Sequence, residues 1–351
     1  MELYIRNQMK PKERQSGIEL LRIIAMLLVL LIHANMWNEK RPCLDLQTSF
    51  TSSATTIFLQ SLSCVCVNVF VLISGWFGIK FSLKKMLKFV FQCAFFLFGI
   101  YAAMIILGLR KIDIVGISGC LMFLKWNWFI KAYLLLFIVS PILNRFLENT
   151  NGRELRLLLI LFFSFQTLYG WATTGAYFFE WGLSVTSFVG LYLLAQYIRR
   201  YRCDLIFIKG GITRAYILST LFLFVLTLIS VYFKFDYLTG KIFAYTSPIV
   251  ILNSLLLLLI FVNIDRIGFV CPAINKIAAS SFAVFLIHTN PNIFEDFYQK
   301  FSWYIYTNSG SYYIPLLFIW MLSVFAMGII IDQVRIFCWN KIEPILNKYL
   351  K

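Results

Sequence analysis

The sequence predicts an all-α membrane protein, a polytopic helical bundle of about ten transmembrane helices with both termini in the cytoplasm. The first observation is composition: of 351 residues, 60% are hydrophobic and 14% are charged, whereas soluble domains carry about 25% charged residues. A soluble fold of this length could not bury so much apolar surface. The second observation is the length of the apolar runs, and the third is the position of the basic residues between them.

Ten apolar runs, separated by polar turns, predict the spans in chain order. A span needs about 20 apolar residues, and continuous runs favour helices over the alternating strands of a barrel. No loop is long enough for a second domain, so we expect residues 1–351 to form a single membrane domain. The predicted spans are 17–36, 55–78, 86–109, 127–147, 154–173, 182–200, 212–233, 245–264, 276–296 and 312–336.

The basic residues between the runs predict the orientation. With the amino terminus inside, the cytoplasmic segments hold 22 Lys and Arg and the outer loops hold 8. Because Lys and Arg are enriched in cytoplasmic loops, both termini are predicted to be cytoplasmic. The net charge of +16 therefore reflects residues that flank spans, and we expect membrane lipid, not nucleic acid, as the partner of these charges.

Four ionisable side chains of the predicted spans stand out: Glu19, Arg22, His33 and Lys131. Such groups are costly in a membrane and are functional candidates by default. Arg22 and His33 are separated by eleven residues of one helix, which predicts a common face, about 20° apart in direction and about 16 Å apart in height. Arg22 can bind phosphate or a carbonyl, and a neutral His33 can act as a base.

Structural roles remain open for the same residues. Arg22 can pair with Glu19 at the i, i+3 spacing, and His33 can make an interhelical hydrogen bond. Lys131 can extend to the membrane surface. The second histidine, His288, is expected at a depth similar to that of His33, so the two could share a site or His288 could cap a helix end.

Three lysines, Lys84, Lys85 and Lys88, lie together at the cytoplasmic end of the third span. This basic helix end can contact the phosphates of a cofactor, or it can anchor the helix to anionic lipid. Ser74 and Gly75 lie in the second span, where small residues favour a close helix contact. The eight cysteines form no CxxC pair and have no histidine at zinc-ligand spacing, so no metal site is expected.

Taken together, these segments resemble the acyltransferase-3 family, integral membrane enzymes that O-acylate bacterial surface polysaccharides and related glycans. The resemblance covers nearly the whole chain, and the order and spacing of its motifs carry it. Those motifs are Gly17-Ile18-Glu19-Leu20-Leu21-Arg22, His33, the phenylalanine-rich run into Ser74-Gly75, Trp128-Phe129 with Ser140-Pro141, and the late span ending at His288.

The resemblance implies an O-acetyltransferase of the bacterial cytoplasmic (inner) membrane, with acetyl-CoA as the acyl donor and a glycan or lipid-linked glycan as the acceptor. Arg22 and His33 match the family's first-span arginine and histidine, and the lysines stand where relatives carry arginines that meet the cofactor. The candidate catalytic residues are His33, Arg22 and His288, and the candidate cofactor-binding residues are Arg22, Lys84, Lys85 and Lys88.

The implied reaction has two forms. Either His33 removes the hydroxyl proton as that hydroxyl attacks the thioester, or His33 is acylated first and passes the group on. A different class stays open, a glycan-lipid transporter, flippase or polymerase, although no convincing internal repeat is visible in the sequence.

Overall fold

The computed structural model describes residues 16–35, 44, 46–114, 116–117, 127–173, 178–202, 204–205, 210–266 and 270–349. Within those ranges all regular secondary structure is helical and there is no strand. The predicted all-α class is therefore confirmed. Residues 1–15 and 350–351 lie outside the described residues, and the cytoplasmic location of both termini stays a prediction.

The described residues form thirteen α-helices and two π-helical segments, one directly after Phe165 and one directly before Lys300. The π-helical segments are Gln166–Ala172 and Phe294–Gln299. In chain order the α-helices are α1 Ser16–Ala34, α2 Phe50–Ser63, α3 Cys66–Phe77, α4 Leu83–Ile106, α5 Trp128–Asn149, α6 Gly152–Phe165, α7 Val185–Tyr201, α8 Gly211–Tyr232, α9 Asp236–Lys241, α10 Pro248–Arg266, α11 Pro272–His288, α12 Lys300–Asn308 and α13 Tyr313–Tyr349.

Seven helical stretches of the described chain are long and apolar enough to cross a membrane. They are Ser16–Ala34, Phe50–Phe77, Leu83–Ile106, Trp128–Asn149, Gly152–Ala172, Gly211–Tyr232 and Gly310–Tyr349. Two shorter apolar helices, Pro248–Ile264 and Pro272–His288, coincide with predicted spans as well. Helix α7 covers most of the remaining predicted span, 182–200. A multi-pass helical bundle follows from these lengths, while the count of ten crossings stays a prediction.

Two predicted boundaries differ from the structure by eight residues or more. The ninth span was predicted to run over 276–296, but α11 ends at His288, because the residue before Pro291 is disfavoured in helical geometry and Pro291 has no N–H. The tenth was predicted to end at 336, but α13 continues to Tyr349. Hydropathy locates the apolar part of a helix, and polar residues can extend the same helix beyond it.

Polar side chains at the helix starts explain why several helices begin where they do. The side chains of Ser82, Asn127 and Ser184 accept hydrogen bonds from backbone N–H groups in the first turns of α4, α5 and α7. Helix α6 begins with a capping box formed by Asn151 and Glu154. These caps satisfy donors that have no partner within the helix.

Helix α3 crosses α7 at Gly75, which is why the sequence has a small residue there. A Cβ atom at Gly75 would lie 2.8 Å from the carbonyl oxygen of Tyr192 and 2.9 Å from the Cβ of Ala195. The side chain of Gln196 also donates to the Gly75 carbonyl. The close contact predicted for this small residue is present, and it fixes the position of the end of α3, where Phe77 lies.

We predict that Gly75→Ala destabilises the protein by about 1–3 kcal/mol, because the new methyl group requires α3 and α7 to separate. Gly99→Ala is the matched control, since a Cβ at this helical glycine meets nothing within 4 Å. The control should be neutral or up to about 1 kcal/mol more stable. Thermal unfolding of both variants in detergent measures the difference, and equal stability would contradict the packing at Gly75.

Candidate functional site

Helix α1 lies in the interior of the bundle, packed against α2, α3, α10, α11 and α13. One side of α1 carries the partly exposed residues Leu20, Ile23, Ile24, Leu27 and Leu28. The opposite side carries Arg22, Met26, Val29 and His33 at spacings of four, three and four residues. Met26 is 1% exposed and Val29 is 4% exposed. Arg22 and His33 therefore face the bundle interior on one stripe, as their spacing predicts.

Arg22 occupies one end of this interior stripe. Its Nη1 donates to both carboxylate oxygens of Glu19, at 2.8 and 3.1 Å, and Glu19 is buried. The guanidinium carbon lies 5.8 Å from the centre of the Phe77 ring. Among the described residues, Nε and Nη2 of Arg22 have no hydrogen-bond partner. The pairing with Glu19 thus fixes the guanidinium and leaves two donor atoms for a ligand.

His33 and His288 meet at the other end of the stripe. Nδ1 of His33 lies 3.0 Å from Nε2 of His288, and Nδ1 of His288 lies 2.6 Å from the carbonyl oxygen of Val284. His288 is 1% exposed, whereas His33 is half-buried. The structure therefore brings together the two histidines expected at one depth, and His33 is the ring that remains accessible.

A segment that follows α11 and contains Phe294 and Tyr298 covers the histidine pair. The ninth predicted span, 276–296, includes Phe294 and ends before Tyr298, and the contacts of this segment with the histidines were not predicted. The ring of Phe294 contacts His33 edge-on, and the ring of Tyr298 contacts His288, each with 5.2 Å between centroids. The Tyr298 hydroxyl donates to the Leu30 carbonyl at 2.7 Å. Pro291 is the signal that separates this segment from α11.

A ladder of aromatic rings leads from α4 to the histidine pair. Phe89 stacks on Phe282 with 5.5 Å between centroids, and Phe282 stacks on Phe285 at 5.9 Å. Phe285 contacts His288 edge-on at 6.0 Å. Since Phe282, Phe285 and His288 recur every three residues, they lie along one face of α11. This face is an apolar wall that ends at the histidines.

The predicted cofactor-binding lysines contact α13 and their own helix end. Lys84 forms an ion pair with Glu343, and the Lys88 ammonium lies 5.9 Å from the centre of the Trp339 ring. Lys85 donates to the Lys80 carbonyl at 3.3 Å. None of these contacts within the described chain involves Arg22 or the histidines. The three lysines lie at the start of α4, and their contacts in the described chain are with α13 and with Lys80, not with Arg22.

Three further charged residues lie within the predicted spans: Lys131, Asp332 and Arg335. Lys131 is exposed on the first turn of α5, so it lies apart from the site. Asp332 and Arg335 form a buried ion pair on α13 that sequence reasoning missed, with 0% and 4% exposure and two hydrogen bonds of 2.8 and 2.6 Å. Opposite charges at i, i+3 near the end of an apolar run are the signal that could have identified it.

The described residues hold no group of three or more His, Cys, Asp or Glu side chains that could bind a metal ion. At one end of the stripe the guanidinium of Arg22 pairs with the carboxylate of Glu19. At the other end the imidazoles of His33 and His288 are in contact. A guanidinium binds phosphates and carbonyl groups, and an imidazole transfers protons or acts as a nucleophile.

We predict that Tyr298→Phe destabilises the protein by about 1 kcal/mol, because the variant loses the hydrogen bond from the covering segment to α1. Tyr304→Phe is the control, since Tyr304 is exposed and its change should be neutral. Thermal unfolding measures both variants. Equal unfolding temperatures of the wild type and Tyr298→Phe would show that the Tyr298 hydroxyl does not stabilise the covering segment.

Comparison with known proteins provides one further finding about the chain. A family model described as an acyltransferase domain, of the acyltransferase-3 type, matches residues 15–334. No curated protein and no solved structure matches the chain. The matched range contains both ends of the interior stripe, the histidine pair and the lysines at the start of α4.

Proposed function

The chain belongs to the acyltransferase-3 family, and from this premise we propose that it transfers an acetyl group from acetyl-CoA to a hydroxyl group of a cell-surface glycan. Family membership gives the reaction class, an acyltransferase in a multi-pass membrane protein. The identities of the donor and the acceptor and the roles of the residues are what we propose. The observation that supports this proposal is the interior stripe of α1, with Arg22 at one end and His33 at the other.

The donor is proposed to bind at the Arg22 end. By the predicted orientation this end of α1 is cytoplasmic, where acyl-CoA is found. Nε and Nη2 of Arg22 can donate to a phosphate or to the thioester carbonyl. Lys84, Lys85 and Lys88 add positive charge at the start of α4, which attracts the anionic nucleotide. Because Lys84 already pairs with Glu343, a phosphate would have to compete with that carboxylate.

The chemistry is proposed to occur at His33. A ring nitrogen of His33 takes the proton of the acceptor hydroxyl while the oxygen forms a bond to the acyl carbon and the C–S bond breaks. The proton then passes to the departing sulfur, which gives free CoA. In the alternative form, His33 attacks the thioester, and the acyl-imidazole passes its group to the hydroxyl. The half-buried His33 ring supports either role.

The acceptor is proposed to be a glycan or lipid-linked glycan at the far membrane surface. The histidines lie at the carboxyl ends of α1 and α11, which the predicted orientation places in the outer half of the bacterial cytoplasmic membrane. The same architecture would suit a glycan-lipid transporter, but a transporter does not need a thioester. Release of CoA from labelled acetyl-CoA, with label in the glycan, distinguishes the two functions.

We predict that His33→Ala lowers glycan acetylation by at least about 10²-fold, because a base in this position contributes about 10²- to 10⁴-fold. Leu27→Ala, on the partly exposed side of the same helix, should retain activity. Mass spectrometry of the surface glycan from cells measures the acetyl content, and thermal unfolding checks that both variants fold. Normal acetylation in folded His33→Ala would refute the role of His33.

We predict that Arg22→Ala raises the KM for acetyl-CoA by about 10- to 100-fold, the loss expected for one or two charge-assisted hydrogen bonds. Arg202→Ala is the matched control, because Arg202 is an exposed arginine paired with Asp204 and such pairs contribute little. Steady-state kinetics of CoA release measure both variants. An unchanged KM in Arg22→Ala would show that Arg22 only pairs with Glu19.

A further inference from the structure

The histidine pair is joined to a backbone carbonyl, and this third partner determines where one hydrogen lies. Nδ1 of His288 is 2.6 Å from the carbonyl oxygen of Val284. Because a carbonyl oxygen only accepts hydrogen bonds, Nδ1 of His288 carries a hydrogen and donates it. The remaining question is whether Nε2 of His288, 3.0 Å from Nδ1 of His33, also carries one.

When His33 is neutral, two arrangements of hydrogens satisfy this contact. In the first, Nε2 of His288 carries a hydrogen, so His288 is a cation that donates to His33. A neutral His33 then has its own hydrogen on Nε2, and neither of its nitrogens can act as a base. In the second, Nε2 of His288 has a lone pair and accepts from Nδ1 of His33. Nε2 of His33 is then free to accept a proton.

The surroundings of the pair favour the second, neutral arrangement. The other rings in contact with the two histidines are Phe285, Phe294 and Tyr298. Within the described chain, no carboxylate forms an ion pair with either histidine. A buried cation with no opposite charge nearby is strongly disfavoured. The neutral arrangement needs no counter-charge and satisfies every nitrogen except Nε2 of His33.

We propose that His288 is a positioning residue that holds His33 in the tautomer with hydrogen on Nδ1, so that Nε2 of His33 is the reactive atom. This inference rests on the proposed acyl transfer. When Nε2 takes the hydroxyl proton, Nδ1 of the resulting imidazolium still donates to His288, in a charge-assisted hydrogen bond. The acyl-carrier form uses the same atom: Nε2 bonds to the acyl carbon, and CoA leaves as the thiolate.

The burial of the two rings agrees with these different roles. His288 is 1% exposed and both of its nitrogens have partners, so it is not available to a substrate. His33 is half-buried, and its nitrogen without a partner belongs to the ring that a substrate can reach. His288 therefore acts through His33 and is not expected to touch either substrate.

The tautomers can be measured directly, because the chain contains only two histidines. Solid-state NMR of ¹⁵N-histidine-labelled protein in lipid bilayers, purified without a histidine tag, reports the hydrogen on each ring nitrogen. At neutral pH we expect two neutral rings with hydrogen on Nδ1 and a bare Nε2 in each. Hydrogen on both nitrogens of His288, or on Nε2 of His33, would overturn the proposal. Because both rings are expected in the same state, the test does not require each signal to be assigned to one histidine.

Kinetics of two variants provide the second test. His288→Leu removes the nitrogen that accepts the hydrogen bond from Nδ1 of His33. We expect the rate of CoA release from acetyl-CoA to fall by about 10²- to 10⁴-fold, as in other enzymes whose catalytic histidine loses its orienting partner. The KM for acetyl-CoA should change little, because Arg22 is intact. His288→Gln keeps an oxygen acceptor near the position of Nε2, and we expect it to release CoA about tenfold faster than His288→Leu, or more.

Equal rates in the Gln and Leu variants, or wild-type activity in the Leu variant, would overturn the positioning role. If the Leu variant does not fold, the tautomers of the wild-type protein decide the question. If the wild-type protein releases no CoA from acetyl-CoA and acetylates no glycan, the proposed function fails. The NMR measurement is independent of that failure, since it needs neither substrate nor activity.

Discussion

The contact between the rings of His33 and His288 is the interaction on which the site depends. Each ring lies in an apolar bundle, where a polar nitrogen without a partner is costly. The contact gives Nδ1 of His33 and Nε2 of His288 a partner, and it sets the register of α1 against α11. Because Arg22 is part of the same helix as His33, this register also sets the distance between the Arg22 guanidinium and the imidazole of His288. Hydrogen bonding at one end of α1 thereby fixes the geometry of the whole stripe.

Helix periodicity was sufficient to predict one part of the site. The eleven-residue spacing of Arg22 and His33 predicted a shared face, and the buried Met26 and Val29 between them lie on that face. The similar depth of the two histidines could also be predicted, since it needs only the direction and length of two spans. Their 3.0 Å contact could not be predicted, because span lengths and hydropathy do not show which helices are neighbours.

The parts that sequence reasoning missed depend on long-range packing. Tyr298 follows a helix break at Pro291 and contacts His288, whereas the ninth span was predicted to continue through this break to residue 296. The lysines at the start of α4 were expected at a cofactor, and their contacts are with Glu343 and Trp339 of α13. Met26 and Val29 fill the stripe between Arg22 and His33, so a donor that reaches both ends must pass beside them. The stacked rings of Phe89 on α4 and of Phe282 and Phe285 on α11 form an apolar surface along which such a donor could lie.

The proposed acyl transfer requires one donor molecule to extend along the interior of α1, from Arg22 to the histidine pair. The most direct measurement is an electron cryo-microscopy structure of the protein with an unreactive thioether analogue of acetyl-CoA. We expect the nucleotide phosphates beside Arg22 and the analogue's group that replaces the acetyl group within about 3–3.5 Å of Nε2 of His33. An analogue bound elsewhere, or bound with its acyl group far from His33, would contradict the account.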